Sequence, residues 1–127
     1  MKQLMLFLLI APALLSVDEA NLAGISKALG DGDATALGNY FDESVEVAIL
    51  EQEDFYDKGQ AVEKIRTFFQ QHPPKSFNQI HKGSSQSSDS QYCIGDLITS
   101  DAKFRVYIYM KNVGGKTLIQ ELRFNKE

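Results

Sequence analysis

Cysteine is almost missing from this chain: Cys93 is the single one among 127 residues. That excludes an intramolecular disulfide and any cysteine-built zinc cluster. Flanked by Tyr92 and Ile94, Cys93 reads as a small buried apolar residue inside a strand. A reactive thiol would need cationic neighbours, and none is adjacent. Basic charge is also short, with 13 Lys and Arg against 17 Asp and Glu and a net charge of −4. The cations are scattered, usually near an acid, so the basic stripe of a nucleic-acid binder is missing. Histidine occurs twice, at His72 and His81. No Gly-x-Ser-x-Gly elbow, His-Glu-x-x-His pair or phosphate-binding loop occurs. Gly114-Gly115-Lys116-Thr117 ends like a phosphate loop but lacks the first glycine at the right spacing, and it reads as a turn between strands.

What is present fits one domain. A hydrophobic share of 43% and a charged share of 24% are those of an ordinary globule. A domain of this length hides roughly two-thirds of its unfolded surface, which suffices for a core without disulfides or metals. The start has a different character. Met1-Lys2-Gln3 carries one positive charge, Leu4 to Leu15 is unbroken apolar sequence, and Asp18 and Glu19 close it. This is the layout of a secretory signal over residues 1–16, with Ala13, Ser16 or Ala20 as candidate last residues before cleavage. A membrane span needs roughly 20 apolar residues, so the run is too short to anchor the chain after processing. The expectation is an exported bacterial protein, periplasmic or secreted, with a single domain over residues 17–127.

Periodicity divides that domain. Leu22, Ile25 and Leu29 make one stripe of a first helix, Val17 to Leu29. Gly30-Asp31-Gly32 ends it, and Asp33 caps a short second helix carrying Leu37, Tyr40 and Phe41. From Ser44 the period becomes two, with Val45, Val47 and Ile49 on one side, and a short strand around Phe55-Tyr56 pairs back. Asp57 and Gln60 form a capping box for a third helix, Gln60 to His72, with Ala61, Val62, Ile65, Phe68 and Phe69 as its stripe. Pro73-Pro74 stops it. Four strands follow: Ser76–Ser84, Gln91–Thr99, Lys103–Asn112 and Thr117–Asn125, joined by turns at 85–90, 100–102 and Gly114-Gly115. Short turns make this an antiparallel meander. Phe104, Val106, Ile108 and Met110 should face the helices, leaving Arg105, Tyr107, Tyr109 and Lys111 outside. The fold class is α+β, three helices from the N-terminal half packed on a curved antiparallel sheet.

That order of elements resembles the nuclear transport factor 2-like (cystatin-like) cone. Within that superfamily the chain resembles a secreted bacterial family known as domain of unknown function 4783. The matching stretches are Gly38-Asn39-Tyr40-Phe41-Asp42-Glu43-Ser44-Val45-Glu46, Phe68-Phe69 running into His72-Pro73-Pro74-Lys75-Ser76-Phe77, and Ile80-His81-Lys82-Gly83-Ser84-Ser85. Phe104-Arg105-Val106-Tyr107 and Gly114-Gly115-Lys116-Thr117-Leu118-Ile119-Gln120-Glu121-Leu122-Arg123 complete the likeness. It implies a conical sheet wrapped round helices, with a mouth that holds a small ligand in many relatives. Some relatives are steroid isomerases, whose base is an acid on the first long strand. Here that place falls in Val47-Ala48-Ile49, where no group can take a proton, so that chemistry does not carry over.

Three readings of function follow. In the first, the chain is a non-catalytic module binding a small apolar ligand or a protein partner, with no cofactor or metal. Its candidate pocket residues are Tyr56, His81, Tyr92, Asp96 and Gln120. In the second it is a small hydrolase or isomerase acting on an apolar metabolite, which requires His81 or Asp96 beside a second polar group in the hollow. In the third it is a structural dimer through the outer sheet face, where Arg105, Tyr107, Tyr109, Glu121 and Arg123 are the candidate interface. Tyrosine and arginine suit such a face because they bury large areas and keep polar tips. His72 is expected to cap the third helix. Glu51, Glu53, Asp54 and Asp57 are acidic neighbours, explained by solvation and capping rather than by a calcium loop.

Overall fold

A computed structural model describes residues 17–85 and 89–127, with side chains from residue 21 onward; the signal-like segment lies outside the described residues. The chain runs α1 (Val17–Asp31), α2 (Ala34–Gly38), β1 (Phe41–Ile49), β2 (Gln52–Asp57), α3 (Lys58–Gln71), β3 (Pro74–Ser84), β4 (Ser90–Thr99), β5 (Lys103–Val113) and β6 (Lys116–Lys126). Capping sets the helix starts as expected. The Asp33 carboxylate accepts the N–H of Ala36 at 3.0 Å. Asp57 and Gln60 form a reciprocal capping box at the start of α3. The second helix is shorter than its pattern suggests. The N–H groups of Asn39 and Tyr40 turn back to the carbonyls of Ala36 and Leu37. Phe41 is then already extended and buried in β1, opposite Ile119, rather than on a helix.

All six strands form one sheet, in the order β2-β1-β6-β5-β4-β3. The meander β3 to β6 is antiparallel throughout, and β2 pairs back on β1. The β1–β6 contact is parallel, which no local pattern announced. Ladder irregularities between Gln79 and His81 and between Tyr109 and Met110 insert Ile80 and Gln120 as extra residues. Bulges of this kind bend and twist a strand, and here they help wrap the sheet round its helices. Gly114 and Gly115 both take positive φ, 59° and 84°, as a tight two-residue hairpin turn requires.

The concave side holds the core. Leu22, Ile25 and Leu29 of α1, Leu37 of α2, and Ile65, Phe68 and Phe69 of α3 are buried. They meet Val45, Val47, Cys93, Leu97, Phe104, Val106, Ile108, Met110, Leu122 and Phe124 from the sheet. The Phe68 ring lies at the centre, 4.5 Å from the Phe124 centroid and 5.0 Å from that of Phe104. One glycine is indispensable to the bend. A Cβ on Gly95 would collide with the Phe77 ring and stand 2.7 Å from the Asn78 carbonyl oxygen. Backbone cannot yield as a side-chain tip can, so Gly95→Ala is expected to lose about 1–3 kcal/mol of stability in urea unfolding. A loss within experimental error would show that β3 and β4 are not packed this closely.

Candidate functional site

Register decides which side of the sheet each candidate occupies, because residues directly opposite each other share a face. Of the five candidate pocket residues, Tyr56 alone is on the helix side. It pairs with the buried Val45 and lies under the Lys64 ammonium, 5.5 Å from its ring centroid. His81 pairs with Ile94, Tyr92 with Tyr109, and Asp96 with Arg105, and those positions alternate with the buried Cys93, Leu97, Val106 and Ile108. His81, Tyr92 and Asp96 therefore point away from the hollow. Gln120 is the bulge residue of β6, and its amide donates to the Asp42 carboxylate. The single pocket expected from these five residues does not assemble. Alternation cannot reveal this, since it separates two faces without saying which is inner.

The hollow carries no acid–base pair among the described residues. Among the described residues the buried polar side chains are Thr99 and Thr117, and the remaining core is apolar. Cys93 is the one thiol, and burial pushes its pKa up to about 11, so it stays protonated and inert. His72 caps α3 with its backbone N–H, which bonds the Phe68 carbonyl at 2.8 Å. Its ring does something the sequence does not announce. Nδ1 lies 3.0 Å from an Asp101 carboxylate oxygen, and Thr99 Oγ1 donates to the other at 2.9 Å. This cluster ties the end of α3 to the β4–β5 turn.

Those bonds, from His72 first and then Thr99, hold the Asp101 pKa below its ordinary value. A depressed folded-state pKa means stability present above the unfolded value and lost as pH falls through the folded one. Asp101→Asn is therefore expected to melt at lower temperature than the native chain at pH 7. The gap should close in acid, once the pH has fallen through the depressed folded-state pKa and Asp101 is protonated in both states. Melting temperatures that differ equally at both pH values would rule the ionised carboxylate out as the source.

The outer face gathers the five candidate interface residues. Tyr107 lies opposite Arg123 and Tyr109 opposite Glu121, while Arg105 Nε donates to Asp96 at 2.8 Å and Arg105 Nη2 reaches Glu127 at 2.9 Å. Tyr92, Tyr107 and Tyr109 are 45%, 38% and 39% exposed, and Phe55 on β2 is 68% exposed. Ile94 sits between the tyrosines, and Tyr92, Tyr107, Tyr109, Glu121, Arg123 and Asn125 rim a shallow depression of about 430 Å³. Toward β1 and β2 the face turns acidic. Arg123 Nη2 contacts Glu121 at 3.1 Å and Glu53 at 3.4 Å, and Glu46 stands directly opposite Glu121. The hydrogen bond to Glu53, then partial burial and the Glu121 charge, raise the Glu46 pKa above the usual carboxylate range. Glu53 is held below it by Glu46 and Arg123. Glu46 and Phe55 were missed as site residues. Their signal was available: both fall on the outer register of β1 and β2.

The remaining acids of the 51–57 stretch do not converge. Asp57 caps α3, and Asp54 accepts the N–H of Phe55 at 2.8 Å. Among the described residues no group of His, Cys, Asp or Glu is arranged to hold a metal ion.

Helices cupped by a curved six-stranded sheet give the chain a nuclear transport factor 2-like fold. An NTF-2 like protein of unknown function from Silicibacter pomeroyi shares this fold, with a TM-score of 0.65 at 10% identity over 89% of this chain and 95% of that one. The chain belongs to the family described as domain of unknown function (DUF4783), whose model matches residues 22–125. A DUF4783 family protein from Bacteroides uniformis is 30% identical, with a TM-score of 0.79, over 83% of this chain and 95% of that one. Another, from Bacteroides ovatus, is 28% identical, also with a TM-score of 0.79, over 83% and 94%. No curated protein matches significantly.

Proposed function

We propose that this chain is an exported, non-catalytic binding module that works through the outer face of its sheet, and that a second copy of the chain is the first occupant of that face. The supporting observation is the contrast between the two sides. Among the described residues the helix side of the sheet is packed with apolar side chains, whereas Tyr92, Ile94, Tyr107 and Tyr109 form an accessible patch on the outside, with Phe55 exposed on β2 beyond Glu46 and Glu121. Exposed aromatic area of this extent, rimmed by charge, is typical of interaction surfaces. Both signs are interspersed around it, Arg105, Arg123 and Lys103 against Asp96, Glu127, Glu121, Glu53 and Glu46. Toward β4 and β5, where the two signs balance, a two-fold-related copy meets mixed charge, which suits a self-complementary contact. The export signal and its cleavage belong to the same proposal and rest on residues 1–16.

Sedimentation equilibrium of the natively processed chain tests this. A reversible dimer with a dissociation constant in the micromolar range or below is expected at pH 5.0, and a monomer up to several hundred micromolar at both pH 5.0 and pH 7.5 overturns it. A second reading, a small ligand lying flat on the tyrosines, is favoured by the 430 Å³ depression alone. Native mass spectrometry of the purified protein would reveal such a ligand as added mass. The hydrolase or isomerase reading has no such support, since His81 and Asp96 stand outside the hollow.

A further inference from the structure

The outer face is not evenly charged, and its imbalance sits beside the aromatic band. On β1, β2 and β6, the carboxylates of Glu53 and Glu121 contact the single Arg123 guanidinium, and Glu46 stands beside them. Glu46 and Glu121 are directly opposite each other, a placement in which like charges repel. Farther along the sheet the charges are better matched: Lys103 and Arg105 face Asp96 and Glu127. Tyr107 and Tyr109 of β5 adjoin the cluster, and Phe55 lies opposite Glu46. His81 on the edge strand β3 is the one imidazole on this face. Among the described residues, the charged neighbours of Glu46 are Glu53, Glu121 and Arg123, all on the sheet.

We propose that association across this face is gated by pH: the Glu46–Glu53–Glu121 group around Arg123 opposes it when fully ionised and permits it once Glu46 takes a proton. This rests on the outer face being a self-association surface. Fully ionised, the group carries three negative charges and one positive, and each copy would bring that excess into the contact. Protonated Glu46 instead donates its O–H to the Glu53 carboxylate, so one charge is removed and the remaining carboxylates share Arg123. Removing water from the face disfavours the charged form further, so association and proton uptake promote each other. The direction of the linkage is unambiguous. A group whose pKa is higher in the dimer than in the monomer strengthens the dimer as pH falls.

The test is sedimentation equilibrium of the natively processed chain at pH 7.5 and pH 5.0, beside Glu46→Gln and Glu53→Gln. The native chain should bind itself at least about tenfold more tightly at pH 5.0, with up to one proton taken up per copy. Glu46→Gln, which mimics the protonated side chain, should dimerise at pH 7.5 nearly as well as the native chain does at pH 5.0, with little pH dependence left. Equal dissociation constants for the native dimer at both pH values would overturn the gate while leaving the association surface standing. Full pH dependence retained in both variants would also overturn it, and would point to His81. A monomer in every sample at both pH values would sink the surface itself.

Discussion

Phe68→Ala is expected to destabilise the fold by about 3–5 kcal/mol in urea or guanidinium unfolding, the range for emptying a large aromatic site in a packed core. Domains of this size are stable by only about 5–15 kcal/mol, so the variant should lose a large fraction of its stability. The reason lies in where the ring sits. Phe68 is 2% exposed and contacts Phe69, His72, Phe104 and Phe124 at once, with centroids between 4.5 and 6.1 Å. It joins α3 to β5 and β6, so neighbours on one element cannot move in without loosening the other. The result also bears on function. If the variant lost less than about 1 kcal/mol, the hollow would have spare room at its centre. A ligand-holding cone would then regain support.

The complementary result concerns the opposite face. Tyr107→Ala combined with Tyr109→Ala should barely change monomer stability, within about 0.5 kcal/mol, because substitutions away from the core usually do little. Self-association, by contrast, should weaken by at least about 30-fold, the equivalent of roughly 2 kcal/mol for loss of central aromatic anchors. Both rings are more than one-third exposed and stand beside the Arg123 and Glu121 side chains. Sedimentation at pH 5.0 gives the clearest reading, since the carboxylate group then opposes the contact least. An unchanged dissociation constant would show that copies meet elsewhere, for instance along the β3 edge. That edge is poorly suited to pairing, because its irregular register and Lys82 blunt it.

Much of the fold is visible in local patterns. The stripe Ala61, Ile65, Phe68 and Phe69 recurs at helical spacing between a capping box and two prolines, and all four residues are buried on α3. Phe104, Val106, Ile108 and Met110 alternate with Arg105, Tyr107 and Tyr109, and the former four are likewise buried. Those signals are local because a helix cap needs only three residues and a strand's alternation only its own pleat. The end of α2 was less legible. Leu37, Tyr40 and Phe41 keep a helical spacing, but Phe41 gains more by pairing with β6 and entering the core.

The candidate site was half legible, for a similar reason. Arg105, Tyr107, Tyr109, Glu121 and Arg123 lie on one face, as the alternation of β5 and its pairing with β6 require. The pocket set of Tyr56, His81, Tyr92, Asp96 and Gln120 scattered because its members sit on four strands. Only the bulges at Ile80 and Gln120 and the strand order decide their sides. Nor does any local feature place Glu46 beside Glu121, residues far apart in sequence that meet through the parallel β1–β6 ladder.

By itself, then, the sequence determined the elements, their caps and turns, the antiparallel meander and the apolar set that forms the core, all set by neighbours along the chain. The tertiary structure alone decided that the described core is closed by apolar side chains, that β1 joins β6 in parallel, and that Glu53 and Glu121 share Arg123 with Glu46 beside them. Those outcomes depend on contacts between distant segments, which follow from how the whole apolar surface is buried at once rather than from any single stretch of residues.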